Sequence, residues 1–256
     1  MTFFTVAILG IIEGITEFLP ISSTGHLILA SHVLKIPSSS FLTSFEISIQ
    51  LGAILAVVFL YWKTLTTNKD VILKIITAFI PTAIIGWFLY PVIKHYLLGS
   101  STIVLWSLLA GGVALIIFEF SHREKESSIA KIKDLSYKKA FVIGLFQSIA
   151  IIPGVSRAAA TIVGGLILNM RRRTIVEFSF LLAVPTMAAA TGLDLLKSSA
   201  QISGNEFMLL AVGFFIAFAV AVASIKFLLR FIKNNTFIAF GIYRIVLAVL
   251  FLIWVI

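Results

Sequence analysis

Long apolar runs, interrupted at a few points by clusters of polar residues, set the pattern of this chain, and the runs are of two kinds. Residues 45–62, 71–93, 102–120, 178–196, 207–229 and 237–256 are continuous stretches of about 20 residues, the length one helix needs to cross a hydrocarbon core. Residues 3–34 and 140–170 are as apolar overall, but Pro, Gly and hydroxyl residues break each of them in the middle. Proline lacks a backbone donor and crowds the preceding turn, so helices are expected to stop near Leu19 and near Ile152. Broken backbone at membrane depth persists only where protein or a wet cavity satisfies its polar groups. Both regions are therefore expected to be hairpins that enter the membrane and return to the same side. The pattern predicts an all-α polytopic membrane protein with about six transmembrane helices plus two re-entrant helical hairpins.

Composition narrows the class. Hydrophobic residues make up 60% of the chain and charged residues 12%, with a mean hydropathy of +1.10. A soluble domain carries about 25% charged residues, so a single integral membrane domain over 1–256 is expected. Without cysteine there is no disulfide framework and no thiolate metal site. The net charge of +9 is unevenly placed. One set of connections carries Lys63, Lys69 and Lys74, the basic residues of 123–139, Arg171–Arg173, and Lys226, Arg230 and Lys233. The other carries only Lys35, Lys94 and Lys197. The positive-inside rule places the first set in the cytoplasm, with both ends of the first hairpin outside and both ends of the second inside. Because these charges sit in loops rather than on one face, a nucleic-acid partner is not expected.

The two broken regions also resemble each other. Gly10-x-x-Glu13 corresponds to Gly144-x-x-Gln147, Pro20-Ile-Ser22 to Gly154-Val-Ser156, and Ser23 to Arg157. Each unit would hold one hairpin and three spans, over 1–120 and 138–256. An odd number of crossings inverts the second unit, and inverted repeats with discontinuous helices place their site where the breaks meet.

The polar residues at the breaks define candidate chemistry. Glu13 and Glu17 are four apart and share a helix face. In apolar surroundings two such carboxylates require a cation or a shared proton. Oxygen-only ligands suit Mg²⁺ or Ca²⁺, and Glu17 is alternatively a general base. Ser22, Ser23 and Thr24 follow Pro20 as natural helix N-caps, and a hydroxyl near His26 and a carboxylate is the arrangement of an activated nucleophile. A water activated by Glu17 fits nearly as well. In the second break, Pro153-Gly-Val-Ser-Arg157 sets Gly154, Ser156 and a guanidinium at a helix start, an anion site suited to phosphate. Arg157 alternatively pairs with Glu13 or Glu17. Glu46 and Gln50 are expected to line the cavity, while Glu119, Glu177, Asp194 and Arg244 are expected near span ends, interfacial or paired, although Arg244, like Arg157, falls at predicted membrane depth. Gly111–Gly112 and Gly164–Gly165 should allow close helix packing. The segment 123–139 reads as a solvated loop, and His32, His95 and His122 show no metal-ligand spacing.

Glu13-x-x-x-Glu17 followed by Phe-Leu-Pro-Ile-Ser-Ser-Thr-Gly-His26, and Pro153-Gly-Val-Ser-Arg157 followed by Thr161, resemble the signatures of the bacterial undecaprenyl-pyrophosphate phosphatases linked to bacitracin resistance. Residues 45–57 and 177–185 extend the likeness over nearly the whole chain. The resemblance implies hydrolysis of undecaprenyl diphosphate, a polyprenyl diphosphate lipid, to undecaprenyl phosphate and phosphate. It places the reaction at the outer face of the bacterial cytoplasmic membrane, where it recycles the lipid carrier for peptidoglycan and confers bacitracin resistance. It further implies Mg²⁺ or Ca²⁺ at Glu13 and Glu17, catalytic roles for Glu17, Ser23, His26 and Arg157, and substrate contacts from Ser22, Thr24, Gly154, Ser156, Arg157 and Thr161. The family usually has a second Ser after the motif arginine, and here that position is Ala158. The partners implied are the lipid substrate and the bilayer; a homodimer is left open. The rival expectation from the same repeat is a secondary transporter or polyprenyl-phosphate flippase.

Overall fold

A computed structural model describes residues 1–92, 97, 100–125, 127–197 and 203–255. Lys94, His95 and Ile256 lie outside the described residues. The helices are α1 (Phe3–Thr16), α2 (Ser23–Val33), α3 (Ser40–Leu60), α4 (Trp62–Thr67), α5 (Lys69–Val92), α6 (Ser101–Ser121), α7 (Tyr137–Ser148), α8 (Arg157–Ile167), α9 (Arg172–Lys197), α10 (Gly204–Phe231) and α11 (Ile238–Val255). Among the described residues the only extended pairing is an isolated bridge between Ile129 and Met170.

The six expected spans appear as α3, α5, α6, α9, α10 and α11. Five of them are long and apolar enough to cross a membrane, and α11 follows with 18 residues. The protein is an all-α, multi-pass integral membrane protein. The hairpin arms are short: α1 has 14 residues, α7 has 12, and α2 and α8 have 11 each. At 1.5 Å per residue they reach about 16 to 21 Å, less than the roughly 30 Å of hydrocarbon.

Both first arms end close to where their prolines predict. The α7 arm closes with a 3₁₀ turn at Ile149–Ile151 and a C-cap at Ile152, as proline predicts. The α1 arm stops at Thr16, a little before Leu19, because Pro20 crowds the Thr16 carbonyl and has no N–H to give it. Glu17 keeps helical backbone as the C-cap while its side chain meets partners on α2 and α8, and residues 17–21 form turns. Both second arms start on a serine in the left-handed region, Ser22 at φ 72° and Ser156 at φ 76°. Each caps its helix, Ser22 Oγ accepting from the Gly25 N–H at 3.4 Å and Ser156 Oγ from the Ala159 N–H at 3.2 Å.

Packing exchanges partners between the halves. The α1 arm lies on α10, the α7 arm lies on α5, α3 packs on α9 and α10, and α6 packs on α11. Small residues permit this, because lipid supplies no hydrophobic drive and close backbone approach must do the work. A Cβ on Gly14 would sit 2.7 Å from Val220 Cβ and 2.8 Å from the Ala217 carbonyl. Gly14→Ala is therefore expected to cost about 1–3 kcal/mol through overpacking. The check is thermal unfolding in detergent, and an unchanged midpoint would mean that the α1–α10 contact is not tight. The paired glycines behave as expected: Gly112 abuts the Gly241 carbonyl, and Gly164 abuts Phe146.

The segment 123–139 is mostly exposed, as expected, but it is anchored to the bundle. Ser128 and Leu135 are buried, Ile129 bridges Met170, and a 3₁₀ turn forms at Ile132–Asp134. Lys74, at 3% exposure, donates to the Lys133 carbonyl at 2.6 Å and pairs with Asp70 at 2.6 Å. A loop folded against the bundle must find donors for its carbonyls, and a lysine 59 residues back along the chain supplies one. Glu119 pairs with Arg172 at 2.8 Å and Glu177 with Arg173 at 2.9 Å, as expected of the span ends. The Asp194 side chain lies outside the described residues.

Candidate active site

The two breaks face each other across a cavity of about 220 Å³. Glu17, Ser22, Ser23 and Thr24 come from the first break, and Ala150, Pro153, Gly154, Ser156 and Arg157 from the second. Gln50 of α3 and Met187 and Ala190 of α9 complete the wall.

Arg157 occupies the first helical position of α8 and reaches back across the junction. Its Nη2 donates to Glu17 Oε1 at 3.2 Å and its Nη1 to the Ser179 carbonyl at 2.8 Å. The Ser179 hydroxyl is itself held by Thr161 Oγ1 at 2.6 Å. The guanidinium lies 5.9 Å from the ring centroid of Phe18, which packs edge-on against Phe180. Backbone, carboxylate and ring thus fix the cation, while its Nε has no partner. On the other side of the ion pair, Glu17 Oε2 accepts the Ser23 hydroxyl. One helical turn before Glu17, Glu13 is fully buried with neither carboxylate oxygen partnered. A buried, unpartnered carboxylate is costly and requires a proton or a cation.

Eight of the expected residues line this cavity: Glu17, Ser22, Ser23, Thr24, Gln50, Gly154, Ser156 and Arg157. Glu13 stands behind it. Thr161, fully buried, holds Ser179 and does not reach the cavity wall. His26 does not join the cluster either, so the expected contact of the nucleophilic hydroxyl with an imidazole is not formed. Its Nδ1 lies 2.7 Å from the Ser22 carbonyl and its Nε2 2.8 Å from the Tyr243 hydroxyl, with the two rings stacked. The bond back to the N-cap carbonyl turns the ring toward α11, while Ser23 turns toward Glu17. Glu46 and Gln50 line a second chamber of about 370 Å³ with Ser31, His32 and Ser39. Gln50 and Thr24 belong to both chambers, which makes them adjoining. Ala158 is buried and contributes nothing to the wall.

Three participants were not anticipated. Ser179 holds Arg157 through a backbone carbonyl, a partner that no side-chain pattern announces. Tyr243 holds His26. Arg244, expected near a span end, is fully buried within α11, where its hydrogen-bond partners are backbone carbonyls. A lone arginine inside an apolar run was the available signal for it.

Fold and site together define a polytopic α-helical membrane protein in which two broken hairpins close around a charged interior cavity. Residues 6–250 match the family model described as Bacitracin resistance protein BacA, and the chain belongs to that family. An "Undecaprenyl-diphosphatase" of Aquifex aeolicus is 48% identical over 251 residues, 98% of each chain. One of Sulfurihydrogenibium sp. is 52% identical over 254 residues, covering 99% of this chain and 100% of its own. One of Wolinella succinogenes is 48% identical over 254 residues, covering 99% and 98%.

Proposed function

We propose that this protein hydrolyses undecaprenyl diphosphate to undecaprenyl phosphate and inorganic phosphate. The observation that carries the proposal is the ion pair across the junction: Glu17 from the first break and Arg157 from the second meet at 3.2 Å on the wall of one cavity. That pairs a general base with a planar cation suited to phosphate oxygens. The printed name of the relatives agrees with it.

In the proposed reaction Arg157 and the start of α8 bind the diphosphate and stabilise the charge on the transferring phosphoryl group. Ser23 attacks the terminal phosphorus as its proton passes to Glu17, and the bridging P–O bond breaks with its electron pair leaving on undecaprenyl phosphate. Water then takes the phosphoryl group from Ser23, and Glu17 returns the proton to the serine oxygen. The hydrogen bond from Ser23 to Glu17 supports this direct transfer, and the hydrogen bonds of the His26 ring go to the Ser22 carbonyl and Tyr243 instead. Glu13 and Glu17 would hold Mg²⁺ or Ca²⁺, which would offset the charge of the diphosphate. The partnerless oxygens of Glu13 support that assignment. Among the described residues no three His, Cys, Asp or Glu side chains gather to hold a metal, so water and phosphate oxygens would complete the shell.

The site is proposed to open to the outer face of the bacterial cytoplasmic membrane. Support comes from the second chamber, walled by His32, Ser39 and Ser101, at the end of the bundle away from Arg172 and Lys74. The reaction there would recycle the lipid carrier for peptidoglycan and confer resistance to bacitracin. The exchange of packing partners and the matched serine caps support two inverted units, 1–120 and 138–256.

The test is phosphate release from undecaprenyl diphosphate by purified protein in detergent, with divalent cation and with chelator. Release with the cation and none with chelator is expected. Movement of the lipid across liposomes without cleavage would instead indicate the transporter or flippase that such broken helices also serve. Glu13→Gln should raise the cation concentration for half-maximal activity at least roughly 10-fold while leaving the unfolding midpoint in place. An unchanged cation dependence would remove Glu13 from the metal.

A further inference from the structure

Arg244 lies fully buried on α11, and every one of its guanidinium N–H groups meets a backbone carbonyl. Nε donates to Leu108 at 3.3 Å, Nη1 to Pro20 at 3.4 Å and Val155 at 2.9 Å, and Nη2 to Ser107 at 3.0 Å and Gly154 at 2.9 Å. Its partners are therefore the first break, the second break and α6. Pro20 and Gly154 are also the residues that correspond in the comparison of the two broken regions. We propose that Arg244 is a positioning residue that ties the two breaks to each other, holding Ser23 and Glu17 in register with Arg157 for phosphoryl transfer. This rests on the phosphatase reading above.

Three features give the tie its meaning. First, the bound carbonyls belong to backbone that must be held from outside, since Gly154 has φ 94° and the adjoining cap residues Ser22 and Ser156 have φ 72° and 76°. Second, a trans peptide is rigid, so fixing the Val155 carbonyl also fixes the N–H of Ser156 on the cavity wall. Third, α6 is cut to fit the guanidinium. A Cβ on Gly111 would lie 2.8 Å from Arg244 Cζ, and one on Gly112 would lie 3.1 Å from Arg244 Cβ. The ion pair at the junction links the breaks only through side chains that the substrate must engage. Arg244 links them through backbone, which stays linked during turnover.

Two variants carry the test. Arg244→Lys keeps the charge but replaces a planar five-donor fork with a compact ammonium, and Gly111→Ala drives a methyl group into the fork. Each is purified in detergent beside wild type, its folded fraction measured by size exclusion and circular dichroism, and kcat and KM determined for undecaprenyl diphosphate with divalent cation. The expected result is a kcat per folded molecule lowered about 10²-fold, the consequence of displacing reacting groups by an ångström, with KM changed only a few-fold. A purely structural role would lower the folded fraction and leave kcat per folded molecule at the wild-type value, and that result would overturn the proposal. Failure of both variants to fold would assign Arg244 to folding alone and overturn it as well. An inactive wild type would sink the phosphatase reading and this inference together, whereas active wild type with unimpaired variants would sink only the inference.

Discussion

Arg157→Ala is expected to lower kcat/KM for undecaprenyl diphosphate by at least about 10³-fold, the scale on which removing a transition-state cation acts in phosphoryl transfer. The side chain is the cation on the cavity wall, with its Nη1 fixed on the Ser179 carbonyl at 2.8 Å and its Nη2 on Glu17. Lysine should not rescue it, because an ammonium cannot span phosphate and the Ser179 carbonyl in the same planar geometry. The substitution also has a stability component. With side chains 12% and 8% exposed, the Arg157–Glu17 pair is largely buried, and removing one partner of such a pair costs about 3–5 kcal/mol. The double variant Arg157→Ala/Glu17→Gln separates the two effects: it removes the stranded charge, so the unfolding midpoint should recover while activity stays lost. Arg157→Ala turning over within tenfold of wild type would show that the guanidinium does not touch the reacting phosphate.

Ser23→Ala carries the second large effect, a loss of about 10³-fold or more in kcat if the serine oxygen is the nucleophile. Its hydroxyl already donates to Glu17, and alanine at this position disturbs no helix cap, since Ser22 is the capping residue of α2. The fold should therefore hold, with stability lowered by about 1.5–3 kcal/mol for the lost hydrogen bond to the buried carboxylate. A single-turnover reaction quenched early should trap a phosphorylated serine in wild type and none in the variant. Near-normal turnover in Ser23→Ala would transfer the nucleophilic role to a water deprotonated by Glu17, with the rest of the site unchanged.

These expectations draw unequally on the sequence and on the packed structure. The spans were legible because a bilayer selects for length and apolarity, properties that lie in consecutive residues. The breaks were legible because proline, glycine and hydroxyl residues interrupt a helix by local sterics and local hydrogen bonding, and Ser22 and Ser156 do cap the arms that follow. The end of α1 is local too: Pro20 crowds the Thr16 carbonyl and has no N–H to give it, while Glu17 keeps helical backbone as the C-cap. The anchoring of 123–139 was not legible: it reads as solvated from its charges, yet Lys74 of α5 holds two of its carbonyls against the bundle.

By itself the sequence determined the membrane class, the six spans, the two interrupted hairpins and which residue types stand at the interruptions. Tertiary structure alone decided how those residues are distributed. It set Ser23 on Glu17, turned His26 to Tyr243, placed Thr161 behind Arg157, and buried Arg244 among the carbonyls of both breaks. The reason is the range of the interactions. Hydrophobic length and capping act over one to a few helical turns. The partner of a buried cation is chosen by which helices pack together, and where that partner is a backbone carbonyl, no side chain records the choice.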